Sequence, residues 1–149
     1  MSEYIHKRHN VSVILYHLVC SVKYRREVFT DEVDDELREV CMEIAKRFEI
    51  MFLEFGVDND HVSFLIQSVP SYSPTRIAQA VKSITAREIF KRVPSVRKQL
   101  WSGEFWTKGF FINTVGQYGN EKTITAYVKE QGREKKYKKL HTQHCSNRF

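Results

Sequence analysis

No stretch of this chain approaches the roughly 18 consecutive apolar residues that a membrane-crossing helix requires. The opening Met1-Ser2-Glu3-Tyr4-Ile5-His6-Lys7-Arg8 also has no apolar core of the kind a secretion signal needs. A soluble, cytoplasmic protein with no membrane partner is therefore expected. Cysteine is scarce as well: Cys20, Cys41 and Cys145 make neither an even disulfide framework nor a paired metal-binding spacing. Cys20 falls in an apolar strand pattern and Cys41 on the apolar stripe of a helix, so both read as buried free thiols, while Cys145 lies in a polar tail. Internal repeats and domain linkers are missing too. With 149 residues, 42% hydrophobic and 13% aromatic, the chain fits one folded domain and not a disordered segment. That domain is assigned to residues 1–135, with a flexible basic tail over 136–149.

The formal charge of +6 conceals a segregated pattern. Successive blocks 1–26, 27–72, 73–132 and 133–149 carry +4, −9, +6 and +5. Basic charge is thus concentrated in the two ends and the second half. Such segregation suits a polyanion on one surface, because neutralising phosphates releases counterions; solvated helix faces and a basic tail are the plainer alternative.

The run Val11 to Val22 is rich in β-branched and aromatic residues and reads as a first strand. From Asp31 to Glu49 the apolar residues Val33, Leu37, Val40, Cys41, Ile44, Ala45 and Phe48 trace one helical face, with Thr30 or Asp31 as cap. Ile50–Val57 and His61–Ser68 form a hairpin around Asp58-Asn59-Asp60, whose short polar side chains tolerate tight turns. Ser73-Pro74 opens a second helix that runs to about Arg92, ahead of Pro94. Residues 97–104 are expected as a loop, Phe105–Val115 as a strand and Gly116–Asn120 as a turn. A last helix from Asn120 through Ile124, Tyr127, Val128 and Gln131 stops at Gly132. This order predicts an α+β fold: a ferredoxin-like split βαβ sandwich, an antiparallel sheet with helices on one face, plus a C-terminal helix carrying the tyrosine. Helices on one face leave the opposite face of the sheet free for a ligand or partner.

Strand alternation places Val62, Phe64 and Ile66 in the core, so His61 and Ser63 project to the opposite face. Tyr127 and Gln131, four apart, share one side of the last helix. Phosphoryl transfer needs an in-line nucleophile and a cation at the scissile phosphate, and a strand imidazole with a helix carboxamide can hold that cation. Each part also has a structural reading: a surface histidine, a half-buried tyrosine, a glutamine with no role.

Several passages follow one another in order: Lys23-Tyr24-Arg25-Arg26, Asp60-His61-Val62, Phe105-Trp106, Phe111-Ile112-Asn113-Thr114-Val115-Gly116, and Tyr127 with Gln131. Over about residues 10–135 the chain resembles the single-tyrosine HUH transposases of small bacterial insertion sequences. That resemblance implies Tyr127 as nucleophile, His61 and Gln131 as ligands of Mg²⁺ or Mn²⁺, and a 5′-phosphotyrosine intermediate. It also implies single-stranded DNA with hairpins at element ends as partner, and a homodimer in which Tyr127 of one subunit works beside His61 of the other. Ser63 departs from the pattern, since it stands where the family has its second histidine. A neutral hydroxyl is a weak and short ligand, so metal binding and activity are expected to be lower. A hairpin-binding relative without chemistry is the second reading. A third, an RNA-binding four-stranded module, lacks its aromatic signature.

Lys7, Arg8, Lys23, Arg25, Arg26, Arg76, Lys82 and Arg87, with Lys91 and Arg92, are the expected phosphate contacts, which position DNA without reading it. Trp101, Trp106 and Tyr72 are either base-stacking residues or core anchors.

Overall fold

In the computed structural model, residues 14–116 are described together with the strand pairings of Ile5–His6, Val11–Ser12 and Lys138–Lys139. β1 (Ile5–His6) and β2 (Val11–Ser12) form a short antiparallel ladder of their own. The main sheet contains β3 (Ile14–Ser21), β4 (Met51–Val57), β5 (His61–Ser68), β6 (Phe111–Val115) and β7 (Lys138–Lys139), in the order β6-β3-β5-β4-β7 with every neighbouring pair antiparallel. Without the two-residue β7, this is the four-stranded sheet of the split βαβ sandwich. The first strand begins three residues later than the composition suggests, because Val11–Ser12 pair with β1 instead.

α1 (Asp31–Arg47) forms where the apolar stripe predicts it. The Thr30 hydroxyl accepts a hydrogen bond from the Val33 amide at 3.2 Å, Asp31, Glu32 and Asp34 sit at the positive end of the helix dipole, and Lys46 and Arg47 at the negative end. α2 (Pro74–Arg92) is capped in the same way by Ser73, whose hydroxyl accepts from the Arg76 amide at 3.1 Å, with Pro74 in the first turn. Leu37, Val40, Cys41 and Ile44 of α1 and Ile77, Val81, Ile84 and Ile89 of α2 are buried with Leu18, Phe52, Phe55, Phe64 and Ile66 of the sheet. Each such side chain contributes about 1.5–3 kcal/mol on burial, so this one layer supplies most of the drive to fold. Arg92 fastens the two helices: its guanidinium donates to Glu43, Glu36 and Glu88, and these carboxylates hold its pKa well above the usual arginine value. The expectation of Arg92 as a phosphate contact gives way to this acidic cage.

Two segments differ from the sequence expectation. Residues 97–99, expected as the start of a loop, instead end α3 (Pro94–Gln99), which Pro94 starts immediately after α2. The strand expected from Phe105 is confined to β6, because Lys82 pulls the preceding backbone out of register. Its ammonium donates to the carbonyls of Thr107, Lys108 and Gly109 at 2.7, 2.9 and 3.0 Å, and carbonyls turned onto a helix lysine cannot join a ladder. Trp106 keeps only an isolated bridge to Val22, with its buried indole donating to the Thr85 hydroxyl at 2.9 Å.

The second face of the sheet is buried over much of β3, β5 and β4, while Phe111 and Asn113 of the edge strand β6 are exposed. Its residues align in rows across β6, β3, β5 and β4: Val115, Leu15, Gln67 and Met51; then Asn113, His17, Leu65 and Glu54; then Phe111, Val19, Ser63 and Gly56. Leu15, His17, Glu54, Ser63, Leu65, Gln67 and Met51 are all buried. A register shift between Phe52 and Glu54 brings the Glu54 carboxylate to this face. The turn and helix expected over residues 117–132 lie outside the described residues.

Candidate active site

His61 is the first residue of β5 and lies opposite Ser21, at the end of the sheet where β3 exits. Three segments meet there. The Val22 amide donates to the Asp60 carbonyl, the Lys23 amide to the Phe105 carbonyl and the Thr107 amide to the Ser21 carbonyl, each at 2.8 Å. The exit of β3 is thereby pinned between the strand carrying His61 and the segment carrying Trp106.

The imidazole is oriented by its neighbour. His61 Nδ1 lies 3.1 Å from Asp60 Oδ1, and Asp60 Oδ2 accepts from Arg25 Nε at 2.6 Å. Burial works to raise the Asp60 pKa, but the hydrogen bonds from His61 and Arg25 outweigh it and hold the carboxyl below its ordinary value. An ionised carboxylate only accepts hydrogen bonds, so this contact suits the tautomer that carries its proton on Nδ1. A carboxylate behind the far nitrogen is the usual brace of a metal-binding histidine.

Ser63 follows two residues on, on the same face and wholly buried, and among the described residues its hydroxyl has no hydrogen-bond partner. Opposite it stand Val19 and Gly56. An imidazole and an unpartnered buried hydroxyl are compatible with a hard cation that retains water, although among the described residues no group of three His, Cys, Asp or Glu is placed to hold an ion. The expected further donor, Gln131, and the nucleophile, Tyr127, lie outside the described residues. His17, on the same face, is separated from His61 by four positions of strand register and sits beside the edge of the Phe111 ring, 6.2 Å between centroids. Burial lowers its pKa.

The basic residues divide into two groups. Lys82, expected as a phosphate contact, donates to three loop carbonyls, and burial lowers its pKa. Lys23 is drawn to Glu104, 2.9 Å away, and one nitrogen of Arg25 to Asp60, while most of that guanidinium remains exposed. Arg26, Arg76 and Arg87 are exposed, and Arg87 borders an open cleft of about 610 Å³ between α2 and residues 103–110. Lys7 and Arg8 lie outside the described residues. Trp106 is a core anchor. Tyr72 is half-buried and accepts a hydrogen bond from the Glu49 amide through its hydroxyl at 3.2 Å, whereas Trp101 is 72% exposed. Both described thiols are buried and free, Cys20 being pushed up to about 12 by burial, partly offset by the nearby Lys82 charge.

Asp60 and its link to Arg25 escape sequence reasoning, which assigns Asp60 to a turn and Arg25 to phosphate. The adjacency of an acid to the strand histidine is the one signal the sequence offers. Among the described residues no helix is long and apolar enough to cross a membrane.

The family model described as "Transposase IS200 like" matches residues 10–131. The ISDra2 transposase TnpA of Deinococcus radiodurans is 31% identical over 116 residues, which cover 78% of this chain and 82% of that protein. The transposase for insertion sequence element IS200 of Salmonella typhimurium is 26% identical over 121 residues, 81% of this chain and 78% of its own. Among solved structures, a Deinococcus radiodurans protein described as a candidate transposase superposes with a TM-score of 0.68 at 28% identity, covering 85% of this chain and 96% of that one. A REP-associated tyrosine transposase bound to a REP hairpin gives a TM-score of 0.57 over 90% of this chain and 74% of its own; at 13% identity it shares the fold alone.

Proposed function

Because the chain belongs to the IS200-like transposase family, whose chemistry is DNA strand transfer, we propose that it cleaves and rejoins single-stranded DNA at hairpin-marked element ends through Tyr127. The observation that carries the reading is the Arg25–Asp60–His61 chain of contacts, which braces the imidazole through its Nδ1 side at the end of the sheet. That a protein of this fold is bound to a DNA hairpin supports the choice of substrate.

In this reading the Tyr127 oxygen, deprotonated as it attacks, forms a bond to phosphorus in line with the 3′-oxygen. The P–O3′ bond breaks, the 3′-oxygen takes up a proton, and a 5′-phosphotyrosine remains. Attack by a second 3′-hydroxyl reverses these steps, restoring the phenol and joining new strands. His61 and Gln131 are the residues that would hold Mg²⁺ or Mn²⁺, with Ser63 contributing its hydroxyl or a contact to a bound water. Such an ion, when bound, polarises the scissile phosphate. Because Ser63 replaces an imidazole by a neutral oxygen, the ion is held more weakly than by two histidines, and activity calls for a higher metal concentration. Two copies assemble, Tyr127 of each serving the His61 site of the other. Arg26, Arg76 and Arg87, exposed and basic, hold the DNA backbone in this reading.

The test is incubation of the protein with palindromic single strands, with and without Mn²⁺, read by mobility shift and by cleavage. Retention with metal-dependent cleavage is expected. Retention without cleavage at any metal concentration would leave a hairpin-binding protein in place of a transposase.

A further inference from the structure

Next in the chain to Arg25, which bonds Asp60, lies an aromatic surface that the proposed chemistry does not use. Tyr24 and Trp101 stack with their ring centroids 5.4 Å apart and their planes 18° from parallel. They are 48% and 72% exposed. Single exposed aromatics are common on protein surfaces and need no explanation. This pair is different in three respects. It is built from two distant segments, the turn after β3 and the turn after α3. The first of these is strained: Tyr24 and Arg25 both have left-handed backbone, with φ of 61° and 55°, a conformation that residues other than glycine adopt at a cost. The same turn is locked to the candidate active site, since Arg25 Nε bonds the carboxylate that also holds His61.

Basic side chains border the pair, although Lys23 is shared with Glu104 and Arg97 lies over the Phe90 ring. Lys23 Nζ lies 5.6 Å from the Tyr24 ring centroid. Arg26, Arg97 and Lys98 are exposed nearby in the chain, and among the described residues they make no ion pair. A flat, sequence-tolerant aromatic surface bordered by cations fits an unpaired nucleobase, whose π-face stacks on the ring while its phosphates meet the basic side chains. A base-paired stem offers no such face along its length.

We propose that Tyr24 and Trp101 form a stacking platform for an unpaired base of the single-stranded DNA flanking the scissile phosphate. The proposal rests on the DNA-cleaving reading of the His61 site and adds to it a place for the strand outside the hairpin. The strain at Tyr24 and Arg25 then has a purpose: it turns one side chain into the platform and sets the next against Asp60.

Trp101 supplies its own reporter. The other tryptophan, Trp106, is buried and hydrogen-bonded, so a change in tryptophan emission on adding DNA arises at Trp101. The full chain would be titrated with short oligo(dT), with a DNA hairpin lacking an unpaired tail, and with the same hairpin carrying one. Quenching by oligo(dT) and by the tailed hairpin, and little by the untailed one, is expected. Tyr24→Ala and Trp101→Ala should each weaken the tailed hairpin by about 10-fold, within the range of one base stack, and leave the untailed hairpin unchanged; Trp101→Phe should restore most of the loss. Equal affinity for the two hairpins in the parent protein, or equal losses on both in the variants, would overturn the platform while leaving hairpin binding intact. Failure of every DNA probe to bind would overturn the DNA reading and the platform together. A change of oligomeric mass in Trp101→Ala without a change in tailed-hairpin affinity would assign the rings to a protein contact and overturn the proposal.

Discussion

Replacing Asp60 by alanine separates a brace from a structural strut, because the two roles carry different magnitudes. As an ion pair with Arg25 the carboxylate is worth little: the Arg25 side chain is 64% exposed and that of Asp60 21%, and pairs so open to water contribute at most about 1 kcal/mol. As the acceptor behind His61 Nδ1 it is worth far more, since losing such a partner typically lowers metal affinity or activity by roughly 10–100-fold. Asp60→Ala should therefore shift the denaturation free energy by no more than about 1 kcal/mol while raising the Mn²⁺ concentration for half-maximal binding by at least ~10-fold. Asp60→Asn keeps an oxygen that accepts from Nδ1 and should recover part of the loss. The assays are urea denaturation, Mn²⁺ titration followed by paramagnetic resonance of the free ion, and DNA cleavage. Unchanged Mn²⁺ binding in Asp60→Ala, or a stability loss large enough to account for the drop in activity, would refute the reasoning.

Two other perturbations bear on the same face of the sheet. Ser63→His places a second imidazole beside His61, opposite a glycine that offers no competing side chain; Mn²⁺ affinity should rise by at least ~10-fold, the lower end of the range seen for weaker changes around a metal, and equal titration curves for the two proteins would count against the site. His17 supplies a pH dependence. Burial lowers its folded pKa below the ordinary 6.5, so between those two values the unfolded chain binds more protons than the folded one, and stability falls as pH drops below about 6.5 and levels off below the folded pKa. His17→Gln should flatten the stability profile in that window, as read by denaturation at a series of pH values; an unchanged profile would show that His17 does not titrate differently on folding.

The parts of this protein legible in its sequence are those governed by local rules. The 3.6-residue stripe of α1, the Thr30 and Ser73 caps and the period-two alternation that sends Val62, Phe64 and Ile66 inward each depend on residues close in the chain, and each has its counterpart in the fold. What the sequence hides depends on distant partners. Nothing near Thr107 announces that Lys82, 25 positions earlier, will take its carbonyl, so the strand at Phe105 is expected too early. Arg92 looks like a free cation until α1 brings Glu36 and Glu43 against it. Arg25 and Asp60, 35 positions apart, meet only because β3 and β5 are neighbours. The second face of the sheet looks open when helices alone are counted, yet its rows of Leu15, Leu65, Met51 and Val115 already have the composition of a buried surface. Assignment of Tyr127 and Gln131 to the site rests on the ordered family resemblance.

The central claim is that one phenolic oxygen forms the bond to DNA and that His61 is needed for it. Mass spectrometry of peptides from the protein after incubation with single-stranded hairpin DNA and Mn²⁺ tests this directly. The account predicts a nucleotide-bearing peptide with the modification on Tyr127, absent in Tyr127→Phe and strongly reduced in His61→Ala. A DNA-linked peptide that maps to a different residue, or that persists undiminished in either variant, would contradict it.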